Sequence, residues 1–320
     1  MNRPLRVGTR GSALALWQTE HVRARLHGAG CGTVRVEIKT TGDLVPSVPL
    51  SRIGSRALFT RQIDDAMLEG RIDLAVHSLK DLPTRLPDGI ALVAVGERED
   101  PSDALVGRGP VRWGDLPEGA VLATSSLRRR AQLLHLRPDL RIRDVRGNVD
   151  TRLAKLDASP EWAAILLATA GLVRLGLGDR IGQRLPPELM LPAPGQGALA
   201  VTARAGDAPA AAAAARALHH PATALAVAAE RAFLRTLEGG CQVPVAAHAR
   251  PESAGRLRLH GRVVSLEGER GVEGIETGTA ADEGAAEALG VALAERLLGD
   301  GAASILAEVR AASAPSVSEP

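Results

Sequence analysis

The sequence predicts an α/β protein: two units of alternating strand and helix, followed by a small α+β module. Three observations carry that expectation. Short apolar runs at 72–76, 90–95 and 163–168 have the length and hydrophobicity of strands buried on both faces of a parallel sheet, with helical stretches between such runs. Two segments interrupt the alternation and read as crossovers between units. One is Glu97-Arg98-Glu99-Asp100-Pro101, where charge density rises before a proline; the other is Leu191-Pro192-Ala193-Pro194-Gly195-Gln196-Gly197. Beyond about Val245 apolar residues alternate at Leu257, Leu259 and Val263, then give way to helices near 286–298 and 302–310.

Composition narrows the function. A chain of 320 residues allows two or three domains, and 45% hydrophobic content supplies real cores. A formal net charge of only +2 argues against a surface built as a whole for nucleic acid or acidic membrane, so any basic site must be local. The N-terminus lacks the apolar stretch of a signal peptide and no run has the length of a membrane span, which predicts a cytoplasmic protein. Cys31 and Cys241 form no disulfide framework and match no zinc spacing, and no metal site is expected. With no tyrosine and 2% aromatic residues, few platforms exist for stacking bases.

The first unit opens with Leu5-Arg6-Val7-Gly8, the loop Thr9-Arg10-Gly11-Ser12 and a helix carrying Leu14, Trp17, Val22 and Leu26. Free N–H groups at such a helix start, with Arg10 beside them, suit a carboxylate or phosphate; a tight turn capped by Ser12 is the plainer alternative. Val34, Val36 and Ile38 alternate with charged residues as a half-exposed strand, and 40–56 reads as a long functional or mobile loop. A helix over about 59–69, closed by Gly70, leads into the apolar strand that ends in His77-Ser78-Leu79-Lys80-Asp81, with Pro83 beyond it. Ligands of open α/β sheets collect at such strand ends, which makes Ser78, Lys80 and Asp81 site candidates. Read blandly, Asp81 is a turn residue and Lys80 a solvated charge. Yet of the 39 basic residues only Lys39, Lys80 and Lys155 are lysine, so a lysine kept beside Asp81 hints at a need for a compact ammonium.

In the second unit a strand runs into the hydroxyl-rich Thr124-Ser125-Ser126, and a helix starts at Leu127-Arg128-Arg129-Arg130 and continues through Leu136. Cations at a helix N-terminus oppose its dipole, so these arginines need an anionic partner or open solvent. Eight arginines between Arg128 and Arg152 face only Asp139, Asp144 and Asp150, and Arg146-Gly147-Asn148 follows a strand while Arg152 begins the next helix. Several guanidiniums could therefore converge on one cleft; the alternative is an arginine-rich solvated surface. A short helical turn at 170–176 carries Arg174, a strand over 198–203 could return to the first unit, and an alanine-rich helix covers 208–218. His219-His220-Pro221 is expected to cap and turn rather than bind metal. In Glu238-Gly239-Gly240-Cys241-Gln242-Val243-Pro244 two glycines would let a large group approach the cysteine; a buried inert thiol is the alternative. Residues 311–320 read as a disordered tail.

Taken together, these blocks make the chain resemble the porphobilinogen deaminases, also called hydroxymethylbilane synthases. The matching blocks are Thr9-Arg10-Gly11-Ser12 with Leu14-Ala15-Leu16-Trp17-Gln18, His77-Ser78-Leu79-Lys80-Asp81, Ser125-Ser126-Leu127-Arg128-Arg129, Arg146-Gly147-Asn148 with Thr151-Arg152, Pro194-Gly195-Gln196-Gly197-Ala198, and the Glu238-to-Pro244 loop. The resemblance covers nearly everything up to about residue 310. It implies a transferase that joins four porphobilinogen molecules head to tail with loss of ammonia and frees the linear tetrapyrrole by hydrolysis. It also implies a dipyrromethane cofactor, held by Cys241 through a thioether, that primes the chain. The implied fold has two doubly wound lobes similar to periplasmic binding proteins, 1–98 with 196–218 and 99–195, a cofactor-attachment domain over 219–311, and a tail over 312–320. A monomer is implied, acting on a small molecule.

Each porphobilinogen brings an acetate and a propionate, so a growing chain needs bidentate cations. By the resemblance, Asp81 is catalytic, acting on the proton of the leaving amine and on the cationic azafulvene that remains. Cys241, Lys80, Asp81, Thr124, Ser125, Ser126, Arg128, Arg129, Arg146 and Gly147 would hold the cofactor, and Arg10, Ser12, Ser78, Arg152, Arg174 and Gln196 the substrate. One block departs from the family pattern. Gly54-Ser55-Arg56-Ala57-Leu58-Phe59 stands where Gly-Gly-Lys-Gly-Leu-Phe is common, which leaves this loop and the role of Arg56 open. A non-catalytic two-lobed carboxylate-binding protein is the rival; it has no use for the Gly-Gly-Cys loop. A nucleic-acid binder using Arg128 to Arg130 is disfavoured by the charge balance and the scarcity of aromatics.

Overall fold

The structure, a computed structural model, describes residues 3–40, 60–237 and 243–313. In chain order the elements are β1 (Leu5–Thr9), α1 (Ala13–Gly28), β2 (Thr33–Glu37), α2 (Arg61–Leu68), β3 (Leu74–Ser78), β4 (Ile90–Val95), β5 (Asp103–Val106), β6 (Val121–Ala123) and α3 (Leu127–Leu136). There follow β7 (Arg141–Arg143), α4 (Val149–Asp157), β8 (Ala164–Ala168), α5 (Thr169–Arg174), β9 (Gln183–Leu185), β10 (Leu199–Arg204), α6 (Ala208–Leu218) and α7 (Pro221–Thr236). The last are β11 (Val245–Pro251), β12 (Arg256–Val264), β13 (Gly271–Thr279), α8 (Glu283–Leu297) and α9 (Ala303–Ser313).

Two sheets share one topology. The first has the order β2-β1-β3-β10-β4 and the second β7-β6-β8-β5-β9. In each, the strand beside the third is antiparallel to both neighbours, and it is the strand that has just arrived through a crossover: β5 after 96–102, β10 after 186–198. Each lobe therefore completes its sheet with a strand handed over from the other side.

Alternation along the strands makes both sheets doubly wound. Val7, Leu74 and Val201 meet Val22 and Leu26 of α1 and Ala210 and Ala213 of α6, while Ile72, Ala75 and Ile90 meet Ile63 and Met67 of α2. In the second sheet Leu166 packs with Leu133 of α3, and its neighbours Ile165 and Leu167 pack with Leu153 and Leu156 of α4. A three-stranded antiparallel sheet, β11-β12-β13, is covered by α7 and α8 around the fully buried Phe233. Gly261 makes room for that ring, since a Cβ there would lie 2.5 Å from Phe233 Cζ.

The structure differs from expectation in a few places. The strand over 198–203 does return to the first sheet, as β10, and the chain enters the second sheet after the first crossover as expected, but the strand that makes this entry, β5, was not read from the sequence. The helix α9 extends through Ser313, into the stretch over 311–320 expected as a tail, because Ile305 and Leu306 anchor that helix in the third core; the rest of that stretch lies outside the described residues. Beyond Thr40, the expected long loop over 40–56, with Arg56 and its block, lies outside the described residues, as does Cys241. Among the described residues no helix is long and apolar enough to cross a membrane.

Candidate active site

The carboxyl ends of β1 and β3, and the loops after β6 and β7, supply the groups singled out in the sequence. Ser12 accepts from Ala15 N at 3.4 Å and caps α1, so the capping role holds, and its hydroxyl stands at the helix N-terminus beside Arg10. At the end of β3, His77 is buried against Thr202, Nε2 to Oγ1 at 3.3 Å. Burial, with the charge of Arg10, pushes its pKa down to about 4, and the ring is neutral at pH 7. Ser78 Oγ accepts from Gln18 Nε2 at 2.8 Å, tying β3 to α1. Leu79–Asp81 then form a single 3₁₀ turn that buries Leu79 and leaves Asp81 exposed.

Lys80 is half-buried and donates from Nζ to Gln196 Oε1 at 3.1 Å. Burial pushes its ammonium down to about 8; Asp81 and Asp103 hold it up, and Arg129 and Arg128 press it lower. The same neighbours act on Arg152, which burial and then Arg129 bring down to about 10, with Asp81 opposing and Arg146 adding to the depression. Arg129 and Asp81 thus act on both Lys80 and Arg152, and Arg146 acts on Arg152.

The loops of the second sheet are held by their own side chains. Thr124 Oγ1 accepts from Ser126 N at 3.2 Å, and Ser126 Oγ caps α3 by accepting from Arg129 N at 3.5 Å. Ser125 Oγ donates to Val145 O at 3.0 Å and accepts from Val145 N at 3.1 Å, which fixes one loop against the other. Gly147 has φ +114°, Asn148 caps α4 by accepting from Thr151 N at 2.9 Å, and Arg152 Nε donates to Gly147 O at 2.8 Å.

The inner arginines find their anion inside the chain. Arg128 Nη1 donates to Asp103 Oδ2 at 2.6 Å, and Arg129 donates to Asp103 Oδ1 from Nε at 3.0 Å and Nη2 at 2.7 Å. Burial opposes the Asp103 charge, but the two guanidiniums more than offset it and hold the carboxyl well below the usual range. The eight arginines do not all converge. Arg130 reaches Glu267 of the third sheet's hairpin, Arg137 pairs with Asp139, and Arg141 and Arg143 lie exposed on the edge strand β7. Two expected substrate contacts also sit differently. Gln196 is 1% exposed, its amide bonded to Lys80, Pro101 O and Asp103. Arg174 donates to Gly197 O at 2.6 Å and lies 5.8 Å over the ring of Trp17 on α1.

Comparison with known proteins decides the family. Residues 5–212 match the family model described as porphobilinogen deaminase, dipyromethane cofactor binding domain, and 224–299 match porphobilinogen deaminase, C-terminal domain. The chain belongs to the porphobilinogen deaminase family. A porphobilinogen deaminase of Rubrobacter xylanophilus is 54% identical over 306 residues, 95% of this chain and 97% of the relative. That of Geobacter metallireducens is 50% identical over 307 residues, 95% and 94% of the two chains. Among solved structures, a periplasmic substrate-binding protein of an ABC transporter from Coxiella burnetii is similar with a TM-score of 0.44 and 16% identity, covering 68% of this chain and 93% of that one.

In this porphobilinogen deaminase family member, sequence reasoning missed Asp103 and the partnership of Gln18 with Ser78. The only sequence signal for Asp103 is an acidic residue opening an apolar run directly after the Pro101-Ser102 crossover.

Proposed function

We propose that the protein is a hydroxymethylbilane synthase: it condenses four porphobilinogen molecules head to tail onto a dipyrromethane primer attached to Cys241, releases ammonia at each step, and frees the linear tetrapyrrole by hydrolysis. The observation that carries this reading is the gathering of cations at the strand ends around Lys80 and Arg152. Arg129 and Asp81 act on both, Arg128 and Asp103 act on Lys80, Arg146 acts on Arg152, and Arg10 acts on His77 at the end of β3. Such a set of guanidiniums with one ammonium is suited to acetate and propionate arms.

That donor set also fits dipyrromethane, whose two rings carry the same carboxylate arms; Lys80, Arg128, Arg129, Arg146 and the loop 124–126 are its candidate holders. When bound, it supplies the free pyrrole position to which the first substrate is joined. Arg10 and Arg152, with the hydroxyls of Ser12 and Ser78, orient the acids of the incoming porphobilinogen, while Arg174 acts from inside, through its bond to Gly197 O in the second crossover. Asp81 accepts a hydrogen bond from the substrate's ammonium, keeping the amine protonated so that it leaves as ammonia. Its negative charge then lies beside the cation left on the substrate carbon. Gln196 acts through Lys80. The lobes 1–98 with 196–218 and 99–195 move about the crossovers as the chain lengthens, with 219–311 carrying the attachment loop. The protein works as a cytoplasmic monomer on a small molecule, without nucleic acid or membrane.

The test is intact mass of the denatured protein beside a Cys241→Ser variant, together with ammonia release from porphobilinogen. Wild type is expected to carry the added mass of two linked pyrroles, absent in the variant, and to release ammonia. An unmodified, inactive wild type made in a host that synthesises porphobilinogen would point instead to a carboxylate-binding protein.

A further inference from the structure

We propose that Asp103 is a positioning residue for Lys80: its carboxylate fixes the side-chain amide of Gln196, and Gln196 fixes the Lys80 ammonium beside Asp81. The inference rests on the reading that the turn carrying Lys80 and Asp81 is where porphobilinogen reacts.

Asp103 is the first residue of β5, the strand that enters the second sheet directly from the first crossover, and it is 0% exposed. Besides its three bonds from Arg128 and Arg129, its Oδ1 accepts from Gln196 Nε2 at 2.9 Å. The arginines are themselves anchored, Arg128 to Leu191 O at 2.7 Å and Arg129 to Leu166 O at 2.9 Å. The carboxylate thus has a fixed place in the second sheet.

Gln196 belongs to the second crossover, and its partners decide which way its amide faces. Nε2 has three acceptors, Pro101 O at 2.7 Å, Asp103 at 2.9 Å and Ser102 O at 3.4 Å; Oε1 has the Lys80 ammonium at 3.1 Å. A flipped amide would set its oxygen against a carboxylate and two carbonyls, and its NH₂ against an ammonium. Asp103, the one charged acceptor of the three, therefore favours, together with the two carbonyls, the orientation in which Gln196 offers an acceptor to Lys80. The relay runs from a strand of the second sheet, through a crossover, to the turn at the end of β3, so the place of Lys80 is set by groups on both sides of the cleft.

Asp103 also supplies charge. Among the described residues, Asp81 and Asp103 favour the Lys80 ammonium, and Arg129 and Arg128 oppose it. Replacing Asp103 by a neutral residue removes a charge that favours the ammonium, so Lys80 must lose its proton at lower pH.

Lysine-selective ¹⁵N labelling reads this directly, because the chain has only Lys39, Lys80 and Lys155. In Asp103→Asn the Nζ titration midpoint of Lys80 is expected to fall by about half a pH unit or more, with Lys39 and Lys155 unmoved. Gln196→Met cuts the relay while leaving Asp103 with both arginines, and serves if Asp103→Asn does not fold. It too should lower the Lys80 midpoint, reduce kcat/KM for porphobilinogen about tenfold, and shift the alkaline limb of its pH profile downward. An unchanged Lys80 midpoint and alkaline limb in the folded variants, beside a wild type that releases ammonia, overturns the inference. A wild type that releases none overturns the functional reading instead, and the titration still decides whether Asp103 and Gln196 position Lys80.

Discussion

Asp81 and Asp103 lie among the same cations, yet their settings give them different work. Asp81 is exposed on a short turn; Asp103 is closed off by donors from Arg128, Arg129 and Gln196. Asp81→Asn should therefore leave the thermal midpoint nearly unchanged and lower kcat by about 10²–10⁴-fold, the range for loss of a proton-handling group. Steady-state ammonia release with a parallel melting curve checks both halves, and a variant with near-normal kcat would remove Asp81 from the chemistry. The difference in setting also explains what the sequence made legible. Lys80-Asp81 stands out because a buried run ends there in two opposed charges, a local pattern. Asp103 does not, because its partners lie 25, 26 and 93 residues away and only the folded chain brings them together. Gln196 was recognised by its motif, but a motif does not say which way an amide faces, and here the amide faces inward.

Helix starts do much of the positioning at the next scale up. α1, α3 and α4 begin with Ser12, Ser126 and Asn148, each capping its helix, and Arg129 and Arg152 leave the first turns of the last two, Arg129 to Asp103 and Leu166 O and Arg152 to Gly147 O. The loop before α4 depends on Gly147. Its φ of +114° is one that side-chain-bearing residues rarely adopt, and a Cβ there would meet Thr151 Cγ2 at 2.6 Å. Gly147→Ala should cost about 1–3 kcal/mol of stability in chemical denaturation, and should weaken porphobilinogen use by displacing Arg152 and Gly147 O together. Wild-type stability and KM in that variant would show the loop to be more compliant than its geometry indicates. Elements with a strong local pattern were read closely: α3 runs over the ten residues expected, and β4 over 90–95. The strand ahead of Arg146, β7, was expected but without bounds, and β9 was not read, since three residues such as Arg141-Ile142-Arg143 show no usable period.

At the scale of the molecule, alternating strands and helices and two proline-marked crossovers were enough to anticipate two sheets and a following module. Strand order was not legible, because the return of β10 to the first unit does not say that it lies between β3 and β4, and nothing local marks 103–106 as a strand between β8 and β9. What holds the crossovers in place was equally hidden. Glu230 of α7 is 0% exposed, and its Oε1 accepts from Arg98 Nη1 at 2.5 Å and Ala249 N at 2.7 Å, while Oε2 accepts from Gly195 N at 2.6 Å. Arg98 lies in the first crossover, Gly195 in the second and Ala249 in β11, so one carboxylate ties both connections between the sheets to the third module. Removing one partner of a buried, fully bonded ion pair leaves the other charge uncompensated, at a cost of about 3–5 kcal/mol. Glu230→Gln, which keeps the shape and removes the charge, should lower the thermal midpoint by several degrees and speed hydrogen exchange in both crossovers and in β11 together. Faster exchange confined to α7 would mean that the three segments are held independently, and that motion at one crossover need not be felt at the other.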